Sequence, residues 1–226
     1  NLDWADEIIL SPGISDKINY IQLAFKKEVP VISEIEFASR FTNKNIVAIT
    51  GTNGKTTTSK LLFYILNNAG LNPRLCGNIG VSFSETIIDN PGDIYVLETS
   101  SFQLEHILNF KPKVSILLNL FDDHLDRYDN NSKNYFDTKI KIQSNQDLND
   151  SFIYLNENKN IKSRLNKINN QQLHPFGIIK SNENLSAWID NNKLIIKNNK
   201  KFFTMLLHEM ALQGKHNIYN SMAAGI

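Results

Sequence analysis

Residues 46–70 pass from an apolar run, IVAIT, through Gly51-Thr52-Asn53-Gly54 into Lys55-Thr56-Thr57-Thr58 and a stretch with apolar residues at helical spacing that ends at Gly70. The pattern reads as a buried strand, a tight turn and a helix over 55–69 with Leu61, Leu62, Ile65, Leu66 and Ala69 on its packed face. Glycine at the turn lets the backbone wrap an anion with no Cβ in the way. The first turn of the helix aims unpaired N–H groups and a positive dipole end at the same point. A triphosphate fits such a cradle. Lys55 would bridge its outer phosphates, and the Thr56 hydroxyl would complete the shell of a Mg²⁺ held by phosphate oxygens. Thr57 and Thr58 read as capping or packing residues.

The strict pattern GxxxxGK(S/T) is not met, because its first glycine position holds Ile49 and the extra glycine comes at Gly51. The match is therefore to a variant, and an ordinary glycine-rich turn opening a helix is the plainer alternative. Upstream, 7–10 (EIIL) and 29–33 (VPVIS) read as strands on either side of a helix at 18–27, with a further helix at 34–41. A polar stretch, Thr42-Asn43-Lys44-Asn45, marks a boundary. It divides a β-α-β remnant, 1–41, from a second unit, 42–226. Apolar runs at 94–98 (IYVLE) and 114–120 (VSILLNL) continue the pattern. After residue 150, segments 151–156, 173–178, 186–199 and 201–207 read as strands, the third with an Asp-Asn-Asn-Lys hairpin turn. Residues 155–170 keep apolar residues at helical intervals within a polar run. Short apolar strands alternating with helices predict an α/β fold with a mostly parallel, doubly wound sheet, whose ligands sit beyond the carboxyl ends of the strands.

Composition limits the alternatives. Lys plus Arg number 24 against 23 Asp plus Glu, so no net basic surface recommends a nucleic acid or an anionic membrane. The apolar runs fall well short of the roughly 20 residues a bilayer span needs, and no charged-then-apolar leader opens the chain, so a cytoplasmic protein without membrane insertion is expected. Cys76 is the single cysteine and reads as a buried structural thiol. A first residue that is not Met and a last stretch that stops within a helical pattern suggest a fragment.

The polar residues that close each strand are the candidates for chemistry. Glu98 ends the 94–98 run, either as a hard oxygen ligand for Mg²⁺ or as a solvated strand-end carboxylate. Ser100 or Ser101 suits the N-cap of a following helix. His124 follows the next strand within Asp122-Asp123-His124-Leu125-Asp126-Arg127, where clustered acids favour a metal or phosphate role over a structural histidine, and Asp123 could orient the ring. Helical spacing puts Lys139 on an apolar stripe with Tyr135 and Ile142, and Lys141 with Asp137 and Ser144 in solvent. A bare ammonium on such a stripe is costly, so either the stem of Lys139 snorkels or its charge is changed. Asn78 within Gly77-Asn78-Ile79-Gly80 offers neutral donors to a sugar or phosphate oxygen, or is a turn asparagine. Asn217 and Asn220 share a helix face after Gly214-Lys215-His216, and their amides can read a purine edge.

The segments GTNGKTT, GNIG, ETSSFQLE, DDHLDRY and GKHNIYN, in this order, resemble the ATP-dependent Mur ligases, and within that family the D-glutamate-adding members most. The resemblance runs through nearly the whole chain. It implies a P-loop NTPase-type central domain preceded by part of a Rossmann-like UDP-binding domain. It implies ATP contacts at Gly51, Thr52, Asn53, Gly54, Lys55, Thr56, Thr57, Asn217 and Asn220, with the two asparagines near the adenine. Two Mg²⁺ ions would be held by Thr56, Glu98, His124 and Lys139, the lysine as an N-carboxy group formed from CO₂. Asn78, Ser100 and Gln103 would face a muramoyl substrate, and Gly13 the diphosphate of its UDP.

The implied reaction joins the carboxylate of UDP-MurNAc-L-Ala to the amine of D-glutamate through an acyl phosphate, with Lys55, His124 and Lys139 as catalytic residues and the protein a monomer. Where the family usually has Glu-Leu-Ser-Ser, this chain has Glu98-Thr99-Ser100-Ser101, which touches a packing contact and not the ligand set. The family's C-terminal domain lies outside the sequence, so these 226 residues alone are expected to bind nucleotide and not to ligate. Three rivals stand: a sibling muramoyl or folate glutamate ligase, a kinase or GTPase-like switch, and a non-catalytic nucleotide-binding module. A guanine switch would want Asn-Lys-x-Asp, whereas Asn43-Lys44 is followed by Asn45 and Ile46.

Overall fold

A computed structural model describes residues 2, 4–165, 171–179, 184–198 and 200–226. Residues 166–170 of the polar helical run and Asn199 at the end of the third late strand lie outside these. The chain order is β1 (Ile8–Leu10), α1 (Asn19–Lys26), β2 (Val31–Ser33), α2 (Glu34–Ser39), β3 (Asn45–Thr50), α3 (Lys55–Asn68), β4 (Pro73–Gly77), α4 (Phe83–Asp89) and β5 (Ile94–Glu98). There follow α5 (Ser101–Glu105), β6 (Val114–Leu117), α6 (Ser132–Ile140), β7 (Ser151–Leu155), α7 (Lys159–Lys162), β8 (Gln172–Phe176), β9 (Ala187–Asp190), β10 (Lys193–Asn198), β11 (Lys201–Leu206) and α8 (Lys215–Gly225).

Nine strands form one sheet in the order β11-β10-β9-β8-β7-β6-β3-β5-β4. From β4 to β9 every pairing is parallel, and β9, β10 and β11 close the edge as an antiparallel meander. The chain runs from β3 outward to β4, returns through β5 and then crosses to β6 on the other side of β3. Strand order therefore reverses beside β3, and a crevice opens at its carboxyl end, where sheets of this kind bind ligands. Ile46, Ala48, Ile49, Val96, Leu97, Ile116 and Leu117 are all buried, as strands covered on both faces must be. The expected hairpin is present: Asn191 and Asn192 have φ of +46° and +61°, the left-handed torsions a two-residue turn demands.

β1 and β2 pair in parallel in a second, two-stranded sheet, with its own small core of Leu2, Leu10, Ile21, Ala24 and Val31. The sequence groups α2 with this unit, yet α2 buries Ile35 and Ala38 in the core of the large sheet. Its Glu36 is fully buried, and one carboxylate oxygen accepts the N–H groups of Leu108, Asn109 and Phe110 at 2.7–2.9 Å. That oxygen holds the loop leading into β6.

Two expectations need correction. Of the expected face of α3, Leu62 is buried and Leu61 and Leu66 pack partly buried on the core, but Ile65 is 41% exposed and Ala69 is exposed, because the packed stripe runs through Thr58, Ser59, Leu62 and Leu66. The strand expected at 114–120 stops at Leu117: the Leu118 N–H still bonds the carbonyl of Thr50, the last residue of β3, and the Asn119 carbonyl then accepts the Thr52 N–H of the loop, where β3 has already ended. β4 and α4 carry no signal strong enough to read. β4 begins with proline, ends with glycine and lies at the sheet edge, where a missing N–H is tolerated. No helix among the described residues is long and apolar enough to cross a membrane.

Candidate active site

The loop after β3 takes its shape from glycine torsions and from the strand beside it. Gly54 has φ +89°, and a β-carbon there would strike the Asn220 side chain. The Gly54 carbonyl accepts the first helical bond of α3, from Thr58 N–H at 2.9 Å. On the β6 side, Asn119 binds Asn53 twice: its Oδ1 accepts the Asn53 N–H at 2.9 Å and its Nδ2 donates to the Asn53 carbonyl at 2.9 Å. Thr52 Oγ1 donates to the Phe121 carbonyl at 3.1 Å and accepts the Phe121 N–H at 3.0 Å. The side chain of Thr52 is thus engaged by the scaffold. Asn119 and Phe121 were not singled out from sequence; their only signal is a position at the end of an apolar run, Asn119 as the polar residue within 114–120 and Phe121 just past it.

Lys55 opens α3, half-buried, with its ammonium folded back onto the Gly51 and Thr52 carbonyls at 3.0 Å each. Burial lowers its pKa, while Glu98 and Asp123 act in the opposite direction. Thr56 Oγ1 donates to Glu98 Oε2 at 2.9 Å, so two of the expected ligands touch. Glu98 is 2% exposed and lies opposite Ile49 in the β3–β5 register. Its other oxygen accepts from Asn78 Nδ2 at 3.0 Å, and its carbonyl accepts the Asn78 N–H at 2.8 Å. Asn78 therefore holds Glu98. Ser100 is the N-cap of α5 and forms a capping box with Gln103, whose Oε1 accepts the Ser100 N–H at 2.9 Å.

A second group lies alongside. His124 has φ +50°, a left-handed torsion costly for a residue with a β-carbon and one that recurs where function requires a fixed aim. Its N–H donates to Asp123 Oδ1 at 2.9 Å, and its ring Nε2 is 3.6 Å from Asp123 Oδ2. The imidazole packs 5.3 Å from the Phe102 ring and 6.3 Å from the Tyr135 ring. Lys139 is 2% exposed, with Nζ 3.5 Å from Thr50 Oγ1 and 5.0 Å from the centre of the Tyr135 ring. It does not snorkel, whereas Lys141 is exposed, as expected. Burial, and then the neighbouring Lys55, push the Lys139 pKa down to about 7.

Beyond the loop, a cavity of about 710 Å³ is lined by Asn119, Phe121, Lys159, Lys215, His216 and Tyr219, among others. Asn220 and Asn217 do not line it: Asn220, buried, packs on Gly54 and donates to Asn217 Oδ1 at 3.3 Å, while Asn217 Nδ2 is bonded to the Gln213 carbonyl at 2.8 Å. Lys215 and His216 begin the same helix and were quoted in the motif without a role. Gly13 lies in the exposed turn after β1 with open space around its Cβ position. Cys76 is fully buried and its thiol pKa is raised to about 12, which leaves it chemically inert as expected.

The geometry fits a nucleotide and a hard divalent cation. Backbone N–H groups converge at a helix start, a glycine stands where a β-carbon would not fit, and a hydroxyl and a carboxylate lie side by side. Among the described residues, the carboxylate, imidazole or thiolate groups that gather in threes within metal-ligand reach are Asp16, Glu105 and His106, away from this set. The expected set contains only Glu98 and His124 of those types.

The family model for the Mur ligase middle domain matches residues 49–226. The chain is 43% identical over 223 residues, 98% of its length, to UDP-N-acetylmuramoylalanine--D-glutamate ligase of Bacteroides fragilis, and it spans about half (50%) of that relative. In fold it resembles UDP-N-acetylmuramate:L-alanyl-gamma-D-glutamyl-meso-diaminopimelate ligase from Neisseria meningitides, with a TM-score of 0.66 at 18% identity, covering 97% of this chain and 72% of that one. It is also similar to MurF ligase from Thermotoga maritima, solved in complex with ADP, with a TM-score of 0.60 at 18% identity, covering 99% and 60% respectively.

Proposed function

This chain belongs to the Mur ligase family, and from that premise we propose that its parent protein is an ATP-dependent ligase adding D-glutamate to UDP-N-acetylmuramoyl-L-alanine in the synthesis of peptidoglycan precursors. The reading rests on homology to the D-glutamate ligase relative and on one observation: the Thr56 hydroxyl 2.9 Å from the buried Glu98 carboxylate, at the helix start that carries Lys55. Residues 1–41 form the end of the UDP-binding domain, 42–226 the ATP-binding domain, and the protein acts in the cytoplasm as a monomer.

A carboxylate and an amine, both charged at neutral pH, do not condense in water. The carboxylate must first acquire a leaving group. In this reading the L-alanyl carboxylate attacks the γ-phosphorus of ATP in line, ADP departs, and the amine of D-glutamate then displaces phosphate from the acyl phosphate. Phosphoryl transfer requires chiefly alignment and charge neutralisation. Lys55 would leave the Gly51 and Thr52 carbonyls for the outer phosphates, and the N–H groups in the first turn of α3 would take the rest. Thr56 and Glu98 would hold one Mg²⁺, and His124 with Lys139 a second; the ions would neutralise the charge between phosphate and carboxylate. Asn217 and Asn220 lie toward the adenine.

Lys139 suits N-carboxylation because burial leaves much of its amine neutral near pH 7. The amine adds to CO₂ and releases one proton, giving an anionic carbamate. That replaces a buried cation facing Lys55 with a partner for it. Phosphate release by the full-length protein, with UDP-MurNAc-L-Ala and with or without D-glutamate, tests the function. Release that depends on both substrates supports it, and release indifferent to them overturns it. A ¹³C-carbamate resonance after incubation with labelled bicarbonate, lost in Lys139→Met, tests the modification.

A further inference from the structure

Arg127 has no part in the chemistry proposed above, yet its side chain joins separate parts of the site. Its own N–H donates to the His124 carbonyl at 3.1 Å, which closes the turn after β6. From there the guanidinium reaches the turn after β1: Nη2 donates to the Ile14 carbonyl at 3.0 Å and Nη1 to the Pro12 carbonyl at 3.4 Å. Nη2 also meets Glu105 Oε2 at 3.1 Å, and Cζ lies 4.3 Å above the centre of the Phe102 ring. Phe102 is the ring against which His124 packs. A planar fork with several fixed donors can serve two carbonyls, a carboxylate and a ring face together, which the compact ammonium of lysine cannot.

We infer that Arg127 is a positioning residue that fixes the turn around Gly13 relative to His124, and so sets where the carboxylate end of a UDP-linked substrate meets the phosphates. This rests on the function proposed above. Other ties join the two units, the 2.9 Å bond from the Ser33 N–H to the His106 carbonyl and the His106–Asp16 contact among them. Lys17–Asp129 has both partners mostly in solvent, where an ion pair contributes little. The Arg127–Glu105 pair, with side chains only 18% and 15% exposed, is screened less; it lies within one unit and holds the guanidinium against the Pro12 and Ile14 carbonyls. Asp16, Glu105 and His106 lie within cation-ligating reach of one another, but Arg127 already neutralises Glu105, and His106 Nε2 meets Asp16 Oδ1 at 2.9 Å. The cluster is a polar junction between the two units.

The test uses the full-length protein and its Arg127→Lys, Arg127→Ala and Glu105→Gln variants. KM for UDP-MurNAc-L-Ala and for ATP, direct binding of each, and the thermal midpoint are measured. Arg127→Lys raises the KM and Kd for UDP-MurNAc-L-Ala on the order of tenfold and leaves those for ATP unchanged, since small misplacement of a reacting group is costly. Arg127→Ala shows a larger effect, and Glu105→Gln, which keeps both carbonyl bonds, a smaller one. Should Arg127→Ala fail to fold, Arg127→Lys decides. Unchanged affinity for the UDP-linked substrate in Arg127→Lys overturns the inference, as do equal losses for both substrates that track the thermal midpoint. A wild-type protein that does not bind UDP-MurNAc-L-Ala overturns the proposed function and this inference together; wild-type binding with an indifferent Arg127→Lys overturns the inference alone.

Discussion

The side chain of Asn220, in the last helix, occupies the space that a β-carbon at position 54 would need. The loop and the helix are therefore matched parts, and Gly54 is constrained twice, by its φ of +89° and by that contact. Gly54→Ala is expected to destabilise the protein by about 1–3 kcal/mol and to weaken ATP binding, because both the torsion and the contact resist it. Adding Asn220→Gly should restore the part due to the contact and leave the part due to the torsion. Denaturant midpoints of the single and double variants separate the two.

Asn78 and Glu98 make a second linked pair. If Asn78 acts by holding the carboxylate, Asn78→Ala lowers Mg²⁺ affinity about 10–100-fold, the usual effect of losing a partner behind a metal ligand. The KM for UDP-MurNAc-L-Ala then stays near wild type. A rise in that KM with unchanged Mg²⁺ dependence would return Asn78 to the substrate-contact role that the family resemblance implies.

Lys139 makes stability depend on pH. The unfolded chain keeps its proton up to about 10.5, while the folded chain releases it near 7. Between those values the unfolded state binds more protons, so stability rises with pH across the window, and the penalty of the buried charge is complete below it. In CO₂-free buffer the denaturant midpoint should climb from neutral to alkaline pH more steeply in the wild type than in Lys139→Met. Parallel curves would show that the amine is not held in this environment.

Glu36, itself fully buried, accepts three backbone N–H groups, of which that of Phe110 is buried. Glu36→Ala leaves the buried Phe110 N–H without its acceptor and should cost about 1–3 kcal/mol, read as a lowered thermal midpoint. Ligand binding by the fraction still folded should be unaltered, since the clamp lies at the opposite end of β6 from the phosphate loop.

Cys76 should resist thiol reagents near neutral pH in the native protein, because it is fully buried and its thiol pKa is raised to about 12. Labelling should appear only with global unfolding. Rapid labelling under native conditions would mean that β4 separates readily from the sheet edge.

Features set by a few neighbouring residues were legible in the chain itself. The glycines before Lys55, the cap at Ser100, the Asn191-Asn192 hairpin and the buried run of β3 each follow from local torsional demand or side-chain period, and all stand in the fold. So did the proximity of Thr56 and Glu98, because strand ends in a parallel sheet meet along one edge. Other relations depend on strand order and on how far an element turns as it packs, which no spacing encodes. Asn119 could bind Asn53 only once β6 lay beside β3, and α3 buried Thr58 and Ser59 because of how the helix turns as it packs on the sheet and α8. Lys139 shows the division most sharply. Its helical spacing placed it on an apolar stripe beside Tyr135, but whether its amine would escape to water depended on the packing of α6 against Thr50 at the end of β3, a contact between residues far apart in the chain.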